Sequence, residues 1–226
     1  MIDPAARATL RAAAAHVVVD DVDQPVLDDA TAHHLFRVLR VRDEDAVTVT
    51  DGRGRWRLCR ATGGNVLPTT SATAVADREA ACTVAFAIPK SDRPEWIVQK
   101  LTELGVARIV LLHAERSVVR WEPDRAERHL ARLRRVAIEA LEQSRGIWLP
   151  DIVGPAPAAD VLPGMLAAEP GGRGLTRRDS ALAIGPEGGW SQNELDLAAD
   201  RVALAATVLR VETAAVVAGA RLTTRD

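Results

Sequence analysis

From residue 82 onward the chain alternates short, β-branched apolar runs with longer amphipathic segments, and this alternation restricts the fold more than any other feature of the sequence. Strands separated by helices join through crossovers, so the pattern predicts an α/β domain with a mainly parallel sheet. The runs CTVAFAI (82–88), ARIVLLH (107–113) and ALAIG (181–185) read as strands. RPEWIVQKLTELG reads as a helix, with Pro94 in its first turn, Gly105 at its C-cap and Ile97, Leu101 and Leu104 on its buried side. A long helix follows in DRAERHLARLRRVAIEALEQS, its apolar stripe running through Leu130, Leu133, Ala137 and Leu141. Its other side repeats Arg125, Arg128, Arg132 and Arg135, an arginine face. PGGRGLTRRD (170–179) reads as a Gly- and Arg-rich loop and SQNELDLAAD as a helix. RVALAATVLR leads to a final helix starting near Thr213, whose hydroxyl is placed to cap it.

The first 76 residues have a different texture. AHVVVD, AVTVTDG and WRLCRAT are short β-branched runs punctuated by Asp, Gly and Asn, with a short helical segment between the first two in which Leu35, Val38 and Leu39 fall at helical spacing. Two domains, 1–76 and 77–226, are the expectation. The hydrophobic fraction of 47% supports a core for each. The two cysteines, Cys59 and Cys82, lie inside strand-like runs with no partner at metal-ligand spacing, so neither a disulfide framework nor a metal site is indicated. No stretch reaches the length of a membrane span and no leader pattern opens the chain, so a cytoplasmic protein is expected. A formal net charge of −2 excludes a uniformly basic coat and leaves room for a local positive face.

Two segments carry candidate chemistry. AIGPEGGWSQNEL (183–195) ends an apolar run in more glycine than a tight turn needs, at the strand-to-helix position where open α/β sheets bind ligands. It matches neither the dinucleotide fingerprint nor the P-loop. VLRVETAA closes the last strand-like run at Leu209 and sets Arg210 and Glu212 on either side of Val211, beside a helix start. Each segment alone also fits an ordinary turn or a helix-terminal carboxylate.

Together with KSDRPEWIVQKLTELGVARIVLLHAERSV, IEALEQSRGIWLP and HHLFRVLRVRDED, these segments resemble, in order and over nearly the whole chain, the RsmE family of 16S ribosomal RNA uridine-N3 methyltransferases, members of the SPOUT class. The resemblance implies a trefoil-knotted, mainly parallel sheet, a PUA-like N-terminal β-barrel that helps to hold RNA, a homodimer, and S-adenosylmethionine as the only cofactor, bound bent between two loops. It implies cofactor contacts from Ile184, Gly185, Gly188 and Gly189 on one wall and from Leu209, Arg210, Glu212, Thr213 and Ala214 on the other. Small-subunit rRNA is the implied partner, with Arg37, Arg40, Lys90, Arg93 and Arg116 as phosphate-contact candidates. Arg210 is the candidate for stabilising the uridine anion, and Glu212 or Glu187 for accepting the N3 proton, either of which can instead cap loop amides. The competing readings are another SPOUT activity, ribose 2'-O methylation, and an RNA-binding ribosome-assembly factor without turnover.

The chain departs from the family pattern in three places. It opens MIDPAARATLRAAAAHVVVD where the family has an arginine and aromatic residues; the family's Gln-Ser-Gly-Arg-like segment reads EQSRGIW, with Gly146 at the arginine position; and Ala205 replaces a glycine before the second loop. His33 and His34 are expected to be partly buried or at the surface and not catalytic, and Trp56, Trp96, Trp121, Trp148 and Trp190 are expected in a core or an interface.

Overall fold

The computed structural model describes residues 2–70, 73–78 and 81–224. They form two compact units, Met1–Glu79 with Ile138–Leu149, and Ala80–Ala137 with Pro150–Asp226. No described helix is long and apolar enough to cross a membrane.

The first unit begins with a helix that the sequence reading does not anticipate, α1 (Pro4–Ala12). Asp3 caps it by accepting from the Ala6 amide, and a proline stands in its first turn. The strands β1 (Ala15–Val18), β2 (Ala46–Thr50), β3 (Arg55–Thr62), β4 (Asn65–Pro68) and β5 (Ala74–Val75) then build a mixed sheet. β1 pairs parallel to β2, β2 and β3 are antiparallel, and β3 is antiparallel to both β4 and β5. The path β1-β2-β3-β4 is open among the described residues, so the expected barrel is here a mixed sheet. Between β1 and β2 the short helix α2 (Asp29–His33), capped by Asp28, runs into a π-helical turn over His34–Val38 that sinks Leu35 into the core beside Val17, Val47, Val49 and Ala61. Val38 and Leu39, expected to share its apolar side, are exposed.

The second unit is a six-stranded sheet of order β11-β9-β10-β6-β7-β8. All its pairings are parallel. Its strands are β6 (Thr83–Ala87), β7 (Arg108–His113), β8 (Asp151–Pro157), β9 (Leu166–Arg173), β10 (Ala181–Ile184) and β11 (Asp200–Val202). The central strands β6 and β10 are covered on both faces and so read as continuous apolar runs. The helices are α3 (Arg93–Glu103), α4 (Pro123–Ser144), α5 (Ala158–Val161), α6 (Gln192–Leu197) and α7 (Val211–Thr223). On one face Ala85, Val110, Ala167 and Ala183 pack with Leu162, Met165 and Trp190. On the other, α7 lies against β6, β10 and α3.

Three local expectations are corrected. Pro170–Arg173 belongs to β9 and is not loop, and Arg173 there donates to Asp179 and Asp200 at 2.7–2.9 Å. Residues 203–210 are not a strand. α7 starts at Val211, two residues before the expected position: Arg210 in extended conformation is the N-cap, no side chain caps it, and Thr213 lies inside the helix and exposed.

Candidate active site

A cavity of about 420 Å3 opens at the carboxyl ends of β9 and β10, the crevice where open α/β sheets hold ligands. Three stretches line it: Ala168, Glu169 and Pro170 where β9 leaves its pairing with β10; Ile184 to Glu187 with Gly189 and Trp190 in the glycine loop; and the segment from Leu204 to the first turn of α7. Its volume lies within the range of small-molecule sites, about 300–1,000 Å3.

The glycine loop is shaped by two different needs. At Gly185 the need is space, because a Cβ there would lie 2.9 Å from Cε2 and 3.0 Å from Nε1 of the Trp190 indole. That ring is held in place: it is 4% exposed, and its Nε1 donates to the Ala168 carbonyl at 3.2 Å. At Gly189 the need is conformational, since its φ of +69° is left-handed and a Cβ would meet nothing within 4 Å. Gly188, between them, faces outward: a Cβ there would approach Arg116, and its carbonyl accepts from Arg116 Nη1 at 3.2 Å.

The loop is clamped from two sides. Arg116 Nη1 also donates to the Trp190 carbonyl at 3.0 Å. Ser191 and Glu194 form a capping box that starts α6, and the second oxygen of buried Glu194 accepts from the Glu115 amide at 2.8 Å. The segment after β7 is thus bonded to the glycine loop by a backbone amide and a guanidinium.

The structure gathers most of the anticipated residues and separates the rest. Ile184, Gly185, Gly189, Leu209, Arg210 and Ala214 line the cavity, as does Glu187; Gly188, Glu212 and Thr213 do not. Glu212 turns toward α3, where Arg93 Nε lies 3.6 Å from its Oε1, and Arg93 Nη1 lies 3.9 Å from Glu187. Glu212 Oε2 is buried and takes no hydrogen bond from the described residues. Arg93 therefore stands between the two candidate carboxylates. Of the phosphate candidates, Arg37, Arg40, Lys90 and Arg116 are exposed, and Arg116 is in addition engaged by the loop it clamps. Ala168 to Pro170 were missed as lining residues, because Pro170 and the glycines after it read as the start of a loop; the available signal was the apolar LAA run ahead of them. Trp190 is buried as expected, and Trp96 is 44% exposed in the single chain.

Residues 77–223 match the family described as RNA methyltransferase domain, and residues 27–63 the family described as RNA methyltransferase PUA domain. The chain is 31% identical to the ribosomal RNA small subunit methyltransferase E of Synechocystis sp., over 87% of this chain and 71% of that protein. To the protein of that name from Mycobacterium tuberculosis it is 30% identical, over 85% and 83%. Among solved structures it resembles a ribosomal RNA small subunit methyltransferase E from Neisseria gonorrhoeae bound to S-adenosyl methionine, with a TM-score of 0.76, 27% identity and coverage of 92% and 95%. A probable rRNA-methyltransferase from Porphyromonas gingivalis gives 0.71, 28%, 91% and 95%. The parallel sheet is of the SPOUT type and the N-terminal unit is PUA-like. The chain belongs to the ribosomal RNA small subunit methyltransferase E family.

Proposed function

We propose that the protein transfers a methyl group from S-adenosylmethionine to N3 of a uridine in small-subunit rRNA. The observation that carries this reading is the cavity at the ends of β9 and β10, with Arg210 and Glu187 in its wall, in a chain of this family. The residues fit the cofactor. Gly185 and Gly189 add no side chain to the wall, the Gly189 amide itself donating to the Pro186 carbonyl at 2.8 Å, and Leu204, Leu209 and Trp190 supply apolar wall. When bound, the cofactor supplies an electrophilic methyl group.

The side chains then have three tasks. The clamped loops hold the site in one geometry, and position and orientation lower the barrier to in-line transfer. Arg210, exposed at the cavity, stabilises the negative charge that develops on the uracil as N3 loses its proton. Glu187, which lines the cavity and is exposed, is assigned as the proton acceptor. Glu212 lies outside the lining and orients Arg93 instead. Dimerisation, threading of the C-terminal segment as a trefoil knot, and phosphate contacts from Arg37, Arg40 and Lys90 belong to the same proposal; exposure of these three side chains supports the last.

The test is methyl transfer from labelled S-adenosylmethionine to small ribosomal subunits lacking the modification, mapped by reverse transcription. An N3-methyl blocks the Watson-Crick edge, so a new stop at one uridine is expected. Label incorporated without a stop would refute the N3 assignment in favour of a ribose methyl. RNA binding without label would refute turnover.

A further inference from the structure

α4 carries a row of arginines that the proposed chemistry leaves unused. Arg125, Arg128, Arg132 and Arg135 are all exposed. At 100° per residue they occupy a sector of about 80°, opposite the buried Leu130, Leu133 and Ala137. A rise of about 1.5 Å per residue sets the first and last about 15 Å apart along the helix axis, the length of roughly four phosphates at about 3.4 Å each along a stacked strand.

The row is largely unneutralised. Among the described residues Arg132 pairs with Glu95 of α3 at 3.0 Å, while Arg125, Arg128 and Arg135 have no acidic partner. Glu127, on the flank of the helix, is taken by Arg134 at 2.7 Å, and the exposed Asp124 and Glu139, at the two ends of the row, lie within ion-pair distance of none of its arginines, so that the positive excess is centred on Arg128 to Arg135. In a chain of net charge −2, three unpaired guanidinium groups on one helix face are a local excess of positive charge that complements a polyanion.

The row also leads to the active site. The Arg132–Glu95 pair joins it to the first turn of α3, where Arg93 stands beside Glu187 and Glu212 at the edge of the cavity. We infer that the arginine row of α4 binds the phosphate backbone of the RNA strand carrying the target base and leads that strand to the cavity. This rests on the reading of the protein as an rRNA methyltransferase. It adds a surface to that reading, on a different element from the N-terminal arginines.

The test is a triple variant, Arg125→Gln, Arg128→Gln and Arg135→Gln, which spares Arg132, Arg93 and the cavity. Binding of a labelled oligouridylate is measured across a salt series, alongside methyl transfer to unmodified small subunits. If the three groups meet phosphates, the slope of log affinity against log salt falls by about 2, and affinity at 0.1 M salt falls by about a hundredfold. KM for subunits rises, kcat and cofactor affinity hold, and the corresponding triple lysine variant recovers most of the binding. An unchanged slope and KM in the glutamine variant overturn the proposal. So does dissociation into smaller species by sedimentation with RNA binding intact, which would make the face a contact between copies of the chain. A wild-type protein that binds the oligonucleotide but methylates nothing refutes the enzymatic reading and leaves the arginine row standing; one that does neither refutes both.

Discussion

Gly185→Ala should damage both the fold and the cofactor site, for a reason visible in one distance. The added methyl would stand 2.9 Å from Trp190 Cε2 and 3.1 Å from Cδ2, too close for carbon atoms, so the indole must move. It has little freedom to do so. The ring is packed into the core with Leu162, Met165 and Ala183, and its Nε1 donates to the Ala168 carbonyl. Overpacking of this kind costs about 1–3 kcal/mol, and a lost buried hydrogen bond about 1 kcal/mol more, so about 2–4 kcal/mol is expected. In a unit of this size that is a fall in Tm of about 5–15 °C, read by circular dichroism. Because Ala168 and Trp190 both line the cavity, S-adenosylmethionine affinity should fall as well, read by calorimetry. Gly189→Ala is the control: its methyl meets nothing within 4 Å, so its stability cost is only the left-handed backbone, about 1–2 kcal/mol. A Gly185→Ala protein with wild-type Tm and wild-type cofactor affinity would refute the close-approach account.

Other perturbations separate the remaining roles. Arg210→Ala should lower kcat at least tenfold with cofactor affinity within a few fold, checked by single-turnover methyl transfer; a wild-type rate removes Arg210 from the proposed mechanism. Gly146→Ala should destabilise the first unit by about 1–3 kcal/mol in denaturant titration, because its Cβ would lie 2.6 Å from Cδ1 of buried Leu141. Burial pushes the pKa of His16 down to about 4, against the raising effect of its hydrogen bond to the Gly146 carbonyl. The unfolded chain therefore binds the His16 proton first: stability is whole above about pH 6.5, falls as pH drops through that value, and has lost about 3 kcal/mol by pH 4. His16→Gln should flatten that limb of the stability curve. Glu142, whose pKa burial raises, contributes with the opposite sign and is common to both proteins.

The elements legible in the sequence were those whose own periodicity decides them. β6, β7 and β10 are uninterrupted apolar runs because they lie inside the sheet, and α3 and α4 show clear stripes because each buries one side. β8 carries Gly154, Pro155 and Pro157, which obscure a strand pattern, and it lies at the edge of the sheet, where proline is tolerated. β9 was hidden by Pro170 and the glycines after it, which lie past the three residues paired to β10. The start of α7 was misplaced by Thr213, a good capping residue; burial of Val211, 3% exposed, begins the helix earlier. The site was legible to the level of its two loops. Which residues of a loop turn inward was not, because Gly188 and Gly189 differ in direction through backbone angles that composition does not encode.

The segment EQSRGIW shows why a departure from a family pattern is best judged by what the backbone asks of each position. Arg145 follows the last residue of α4 with φ +60°, the left-handed conformation that glycine adopts without strain at a helix end. An arginine there costs about 1–2 kcal/mol, and its guanidinium returns part of that by donating to the Ala13 and Ala14 carbonyls at 3.1 and 3.4 Å. Gly146 has its own constraint: Leu141 fills the space a side chain would need, and its carbonyl accepts from buried His16 at 2.7 Å. A carbonyl only accepts, so His16 Nε2 carries the proton and Nδ1 accepts from the Thr48 hydroxyl at 2.8 Å. Glu142 accepts from the Val18 amide, and Trp148 donates to the Ala76 carbonyl. Residues 142–148 thus fasten the strands of the PUA-like unit from within, which is why the C-terminal part of α4 groups with that unit. The Arg-Gly order is therefore accommodated structurally in this chain, with the arginine directed at backbone carbonyls of its own unit.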